Sequence, residues 1–130
     1  MPFFKLLLIG AELAHAAAHT LVLCGCKILH PNPLFQKLYF TSDLLTVLAT
    51  HYLYQTNPYL VTFHFTIHAG AVLHLLEQDH DKGFFHRVFE LAAQKWSQQS
   101  WLMRTAYAVV TSEDILIHLI GAWEGLKTSV

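Results

Sequence analysis

Residues 6–23 read LLLIGAELAHAAAHTLVL, and this stretch decides the fold. It holds no proline and is too long for a strand, while its Leu and Ala residues are strong helix formers. Glu12, His15 and His19 interrupt the run at i, i+3 and i+7, which puts all three on one side of a helix. The rest of the surface is apolar. A helix of this kind expects hydrocarbon on its broad face and other polar helices against its narrow stripe.

Further along the chain the same design recurs three times. His30-Pro31-Asn32-Pro33 ends the first apolar run, because two prolines so close together cannot continue a helix. Asn57-Pro58 divides the next long apolar stretch in two with only a few residues between, so its halves are expected to form an antiparallel hairpin. The expected transmembrane spans are about 4–29, 35–55, 59–77 and 104–127, in a single domain of 130 residues. Trp123 sits near the last end as an interface anchor. Between the third and fourth spans, Phe85, Val88, Phe89, Ala92 and Trp96 repeat at helical spacing in a polar context. That pattern predicts an amphipathic interfacial helix over about 83–101. The fold class is all-α, an integral, multi-pass membrane bundle, and no strand signal competes with it.

Composition bears on the surroundings. Charged residues make up 13% of the chain and hydrophobic ones 54%, against roughly 25% charged in an ordinary soluble domain. From Leu6 to Cys26 only Glu12 is charged, and from Leu38 to Leu76 only Asp43, whereas seven charges crowd between Glu77 and Lys95. The polar residues make each span marginal alone. In the first, some eight strong apolar residues at about −0.5 kcal/mol each only nearly offset one acid at about +3 kcal/mol. Neighbouring helices must shelter those groups, and the competing expectation is a soluble, very apolar bundle. Lys27, Lys37, Lys82, Arg87, Lys95 and Arg104 gather in the first and third connections, the side expected to be cytoplasmic. With a net charge of −1 and no basic stripe, nucleic acid is set aside as a partner. Cys24 and Cys26 point to nearly opposite sides of a helix, so they are not expected to pair.

The chemistry is carried by spacing. His64 and His68 lie at i, i+4 in the third span, Asp114 and His118 at i, i+4 in the fourth, and Asp43 shares a stripe with Thr46, Thr50 and His51 in the second. The histidines of the first, third and fourth spans and Asp114 fall near mid-span, with Asp43 slightly to one side, so groups from four helices converge at one level. A carboxylate there is costly unless it is paired or binds a cation. Mixed imidazole and carboxylate donors suit first-row metals, and soluble four-helix bundles hold two irons with such sets. The expected ligands are His15, His19, Asp43, His64, His68, Asp114 and His118. Glu12 or Glu113 would serve as a general base or would orient a ligand imidazole. Non-haem iron is expected first, with zinc or manganese behind it. A b-type haem held by two histidines on different helices is the alternative, and it leaves the carboxylates unexplained. A second polar cluster, His74, Glu77, Asp79, His80 and His86, is read as a solvated helix end, with His30 and His51 interfacial.

His15-Ala-Ala-Ala-His19 and His64-Phe-Thr-Ile-His68 resemble the H-x-x-x-H boxes of membrane desaturases and hydroxylases. The paired His-His boxes of those families are absent and this chain is much shorter. The resemblance implies chemistry only: a metal in a dry pocket, activating oxygen or water against a lipid-soluble substrate. Three functions from different classes follow. One is a metal-dependent membrane oxidoreductase acting on a lipophilic small molecule. The second is a haem-bearing electron-transfer subunit. The third is an assembly subunit or proton or ion pathway, acting as a homo-oligomer or within a larger membrane complex.

Overall fold

The computed structural model describes residues 2–24, 33–76, 98 and 100–128. Four helices occupy them: α1 (Pro2–Leu23), α2 (Pro33–Tyr54), α3 (Pro58–Leu76) and α4 (Trp101–Lys127), with no strand among the described residues. The helix starts follow from local chemistry. Pro2, Pro33 and Pro58 occupy first-turn positions, where a missing N–H costs nothing and a fixed φ is already helical. The Asn57 side chain accepts hydrogen bonds from Tyr59 N–H at 2.9 Å and from Leu60 N–H at 3.2 Å. Ser100 caps α4 in the same way, its hydroxyl accepting from Met103 N–H at 3.3 Å. Both side chains satisfy backbone donors that the first turn of a helix leaves without partners. Gln55 stops α2 in the left-handed region at φ 52°, a common way for a helix to end. Only Gln55, Thr56 and Asn57 separate α2 from α3, as the hairpin expectation requires.

The expected span limits shift accordingly. Proline opens α2 at Pro33 and α3 at Pro58, slightly before the expected starts, and α4 begins three residues early at its Ser100 cap. The described part of α1 ends at Leu23. The interfacial helix and the second polar cluster lie outside the described residues, apart from His74, which belongs to α3.

Packing directions can be read from cross-helix partners. Ile9 lies against Gly125, Glu12 against His118, and His19 near Asp114, so α1 and α4 run antiparallel. Glu12 meets Thr50 and His19 meets Asp43, so α1 and α2 do too. The helices therefore alternate up and down. The α1–α4 seam is close because Gly121 and Gly125 present no side chain to it. A Cβ on Gly125 would stand 2.7 Å from Ile9 Cγ1, and one on Gly121 would overlap the Glu12 carboxylate.

The interior is unusual in kind. Val47, Val61 and Ile117 form a small apolar layer one turn from the bundle centre toward the α2–α3 hairpin, with Leu60 and Phe65 against it. The centre itself is polar: Glu12, His15, His19, Asp43, His64, His68, Glu113, Asp114 and His118 are all buried. Large apolar residues turn outward instead on every helix, among them Leu6, Leu38, Leu45, Phe63, Leu116 and Trp123. Among the described residues no helix is long and apolar enough to cross a membrane, so the expected four spans gain no support there.

Candidate metal centre

Helical periodicity aims one stripe of each helix at the bundle axis. α1 supplies Glu12, His15 and His19; α2 supplies Tyr39, Ser42, Asp43 and Thr50; α3 supplies His64 and His68; α4 supplies Glu113, Asp114 and His118. Asp43 is the hub, fully buried, and four imidazoles from three helices surround it. His64 Nε2 lies 2.7 Å from its Oδ1 and His118 Nε2 3.3 Å from the same oxygen. His19 Nε2 lies 3.0 Å and His68 Nε2 3.2 Å from Oδ2.

The opposite ring nitrogens determine what those contacts mean. His68 Nδ1–H donates to the His64 carbonyl at 3.0 Å, and His118 Nδ1–H donates to Glu12 Oε2 at 2.5 Å. A neutral imidazole carries one N–H. With that proton committed at Nδ1, Nε2 of both rings presents a lone pair to an Asp43 oxygen. His64 meets carboxylates on both sides, with Nδ1 3.2 Å from Glu113 Oε1 and 3.3 Å from Asp114 Oδ1. His19 does likewise, with Nδ1 3.6 Å from Asp114 Oδ2. Lone pairs facing lone pairs in a buried site repel unless positive charge joins them, as extra protons or as metal ions.

Charge counting sharpens the point. Glu12, Asp43, Glu113 and Asp114 are four buried carboxylates, and every described ion pair they make is with a histidine. If the histidines are neutral, two divalent cations balance the set. Among the described residues four buried polar atoms make no hydrogen bond: His15 Nδ1, and His118 Nε2, Glu113 Oε1 and Asp114 Oδ1, which stand only in the ion pairs given above.

Three donor sets among the described residues could hold an ion: His15, His19 and His118 with Asp43; His64 and His68 with Asp43; and His64 with Glu113 and Asp114. Within each set the candidate ligand atoms lie within 4.8 Å of one another. Two donors bonded tetrahedrally to one ion at about 2.1 Å stand about 3.4 Å apart, so the most widely spaced donors would close by about 1 Å on binding. Asp43 belongs to two sets and can bridge them.

Around the donors stands a supporting ring. The Thr50 hydroxyl donates to Glu12 Oε1, which leaves Oε2 to hold His118. Ser42 Oγ lies 3.1 Å from His15 Nε2, and the Tyr39 hydroxyl 3.2 Å from His19 Nε2. Tyr39 also packs edge-on against His15 and His19, and Phe40 against His68. All nine residues singled out in the sequence lie in this cluster. Thr50 was visible on the α2 stripe, and Tyr39 could have been found one turn before Asp43. Ser42 and Gly121 carried no signal. His51 stays apart, with Nδ1 3.1 Å from Thr56 Oγ1. His30 lies outside the described residues. No family model, no curated protein and no solved structure matches the chain.

Proposed function

We propose that the chain is a membrane-embedded metalloprotein whose buried His/carboxylate cluster holds two divalent first-row metal ions, bridged by Asp43, for redox chemistry on a lipophilic substrate. The observation that carries this reading is the arrangement at Asp43: four imidazole nitrogens from three helices stand 2.7 to 3.3 Å from its oxygens, in a pocket with four acids whose described ion pairs are all with histidines. Metal ions relieve that arrangement at both oxygens without charging the rings. The mixed oxygen and nitrogen donors favour iron, with manganese or zinc behind it. Bound iron would supply the redox step, while Glu12 would fix the orientation and basicity of His118.

Haem fits less well. The imidazoles of His64 and His68 have ring centroids 4.0 Å apart, those of His15 and His118 5.0 Å, and carboxylates stand among them. Such spacing favours small ions over a flat macrocycle.

Several features support lipid as the surroundings. Leu6, Leu38, Leu102 and Trp123 are each at least 60% exposed, and outward apolar residues occur on all four helices rather than in one patch. Apart from the buried acids, the charged residues described (Lys5, Lys37, Arg104, Glu124 and Lys127) lie within five residues of a helix end. The helices are about 28 to 40 Å long at 1.5 Å per residue, against roughly 30 Å of hydrocarbon. Mean hydropathy averages this outer face with a stripe that lipid never touches.

The test is elemental analysis with an ultraviolet–visible spectrum of the detergent-purified protein, wild type against His64→Ala/His68→Ala. About two equivalents of iron or manganese with no Soret band, lost in the variant, is the expected result. A Soret band, or a metal-free protein that stays metal-free when iron is supplied, overturns the proposal.

A further inference from the structure

Among the described residues two surface depressions border the cluster, one on α4 beside Glu113 and one between α1 and α2. Between α1 and α2 runs a groove of about 430 Å³, walled by Phe4, Leu7 and Leu8 on one side and by Leu38 and Leu45 on the other. Ser42 is part of its lining, and Ser42 Oγ is 3.1 Å from His15 Nε2. A single hydroxyl thus stands between an apolar groove on the surface and an imidazole of the donor set.

We propose that this groove seats a long-chain lipid bearing an uncharged oxygen group, an alcohol or a carbonyl, with the chain along α1 and α2 and the oxygen at Ser42. This inference rests on the metal-centre reading, whose substrate it specifies. Three observations choose the occupant. The walls are hydrocarbon relieved only by hydroxyls, and no charged side chain lines the groove, so a carboxylate or phosphate head would find no counter-ion there. The volume lies within the usual range for small-molecule sites. From Ser42 the lining on α2 runs on to Ala49, about 10 Å at the helical rise, a shape suited to the first part of an extended chain. The groove also opens on the outer apolar surface, the side from which a lipid would enter. At Ser42 the ligand oxygen would share a hydroxyl already hydrogen-bonded to His15, one side chain away from Asp43.

The experiment uses the detergent-purified full chain and a fatty alcohol carrying a photoreactive diazirine in its chain, with labelled peptides read by mass spectrometry. The expected result is labelling concentrated in residues 4–11 and 38–49, competed by excess hexadecanol and not by palmitate or hexadecyl phosphate. Leu45→Trp fills the groove from an exposed position and should abolish that labelling while leaving metal content unchanged. Ser42→Ala should weaken competition by hexadecanol about three- to tenfold, the worth of one neutral hydrogen bond, and leave competition by hexadecane as it was. Labelling spread evenly over all four helices, or insensitive to Leu45→Trp, overturns the proposal and identifies the groove as ordinary annular surface. Because binding is read without turnover, labelling confined to the groove in a protein that takes up no metal would sink the metal reading and keep the lipid site. A two-metal protein with even labelling would do the reverse.

Discussion

Two glycines on helices should respond to alanine in opposite directions. Gly10 on α1 has nothing within 4 Å of the position a Cβ would take. Gly10→Ala therefore gains only helix propensity, about 0.5–1 kcal/mol. At Gly121 the added methyl would overlap Glu12 Oε1, stand 2.6 Å from Glu12 Cδ, and stand 3.1 Å from Thr50 Cγ2. Ordinary carbon contacts begin near about 3.5 Å, so the carboxylate must retreat by about 1 Å. It has no slack, since the Thr50 hydroxyl holds one oxygen and His118 Nδ1–H holds the other at 2.5 Å. Such a retreat breaks a charge-assisted hydrogen bond worth about 1.5–3 kcal/mol. Net of the propensity gain, Gly121→Ala should cost about 1.5 kcal/mol. It should also weaken metal binding about 10- to 100-fold, because His118 loses the partner that orients it. Unfolding in detergent followed by circular dichroism, with metal content on the same samples, reads both effects. If Gly121→Ala stabilises as Gly10→Ala does, α1 and α4 do not meet at this seam and the site as described is wrong.

Other substitutions separate donors from bystanders. Asp43→Asn keeps the shape and removes the charge on which four imidazoles converge, so metal content should fall from about two equivalents to one or none, measured by elemental analysis. Glu12→Gln should keep both ions but lower their affinity about 10- to 100-fold in a chelator competition, since an amide oxygen is a weaker acceptor for His118. His51→Ala, whose ring faces Thr56 outside the cluster, should leave metal content unchanged, and a loss there would show that metal retention reports general unfolding. Ferrous iron at a hundred times its dissociation constant should stabilise the wild type by about 2.7 kcal/mol per site, seen as a higher unfolding midpoint. The shift should shrink in Asp43→Asn, and also as acid protonates the imidazoles.

Element boundaries and the polar stripe were legible because helices announce both locally. Pro33, Pro58 and the Asn57 cap are written into a few adjacent residues, and Glu12, His15 and His19 fall on one side by periodicity alone. Depth was legible too, since residues near mid-helix in four antiparallel helices must meet at one level. Rotation and pairing were not, because they depend on which helices touch. Nothing in the spacing says that Asp43 rather than Asp114 is the hub, or that Glu12 serves His118 on α4, 106 positions away in the chain. Nor does it mark Gly121 as the gap into which Glu12 fits. Surroundings are the least legible of all. Whole-helix hydropathy averages an apolar outer face with a charged inner one, so the more ionisable groups a bundle buries, the less its helices resemble membrane spans.

This inverted arrangement, with ionisable groups inside and leucines outside, constrains what the chain can do. An apolar interior would be held together in water by the hydrophobic effect, but here the buried apolar residues described (Leu8, Ile9, Ala16, Val47, Val61, Ile117 and Ala122) are outnumbered by twelve buried polar or charged ones. Electrostatics therefore weighs heavily in the interior. Four carboxylates around neutral histidines repel, and protons on the rings would remove the repulsion only by removing the lone pairs that make imidazole a ligand. On the proposed reading, metal ions would neutralise the acids and use those lone pairs at once, and folding and metal loading would become one equilibrium. The leucines have the complementary need. Exposed to water on every helix they would drive aggregation, whereas in the proposed membrane setting acyl chains would cover them and keep water from the cluster. A low dielectric would then strengthen each donor–cation contact. On that reading, an aqueous, metal-free preparation would lack both conditions that hold the bundle together.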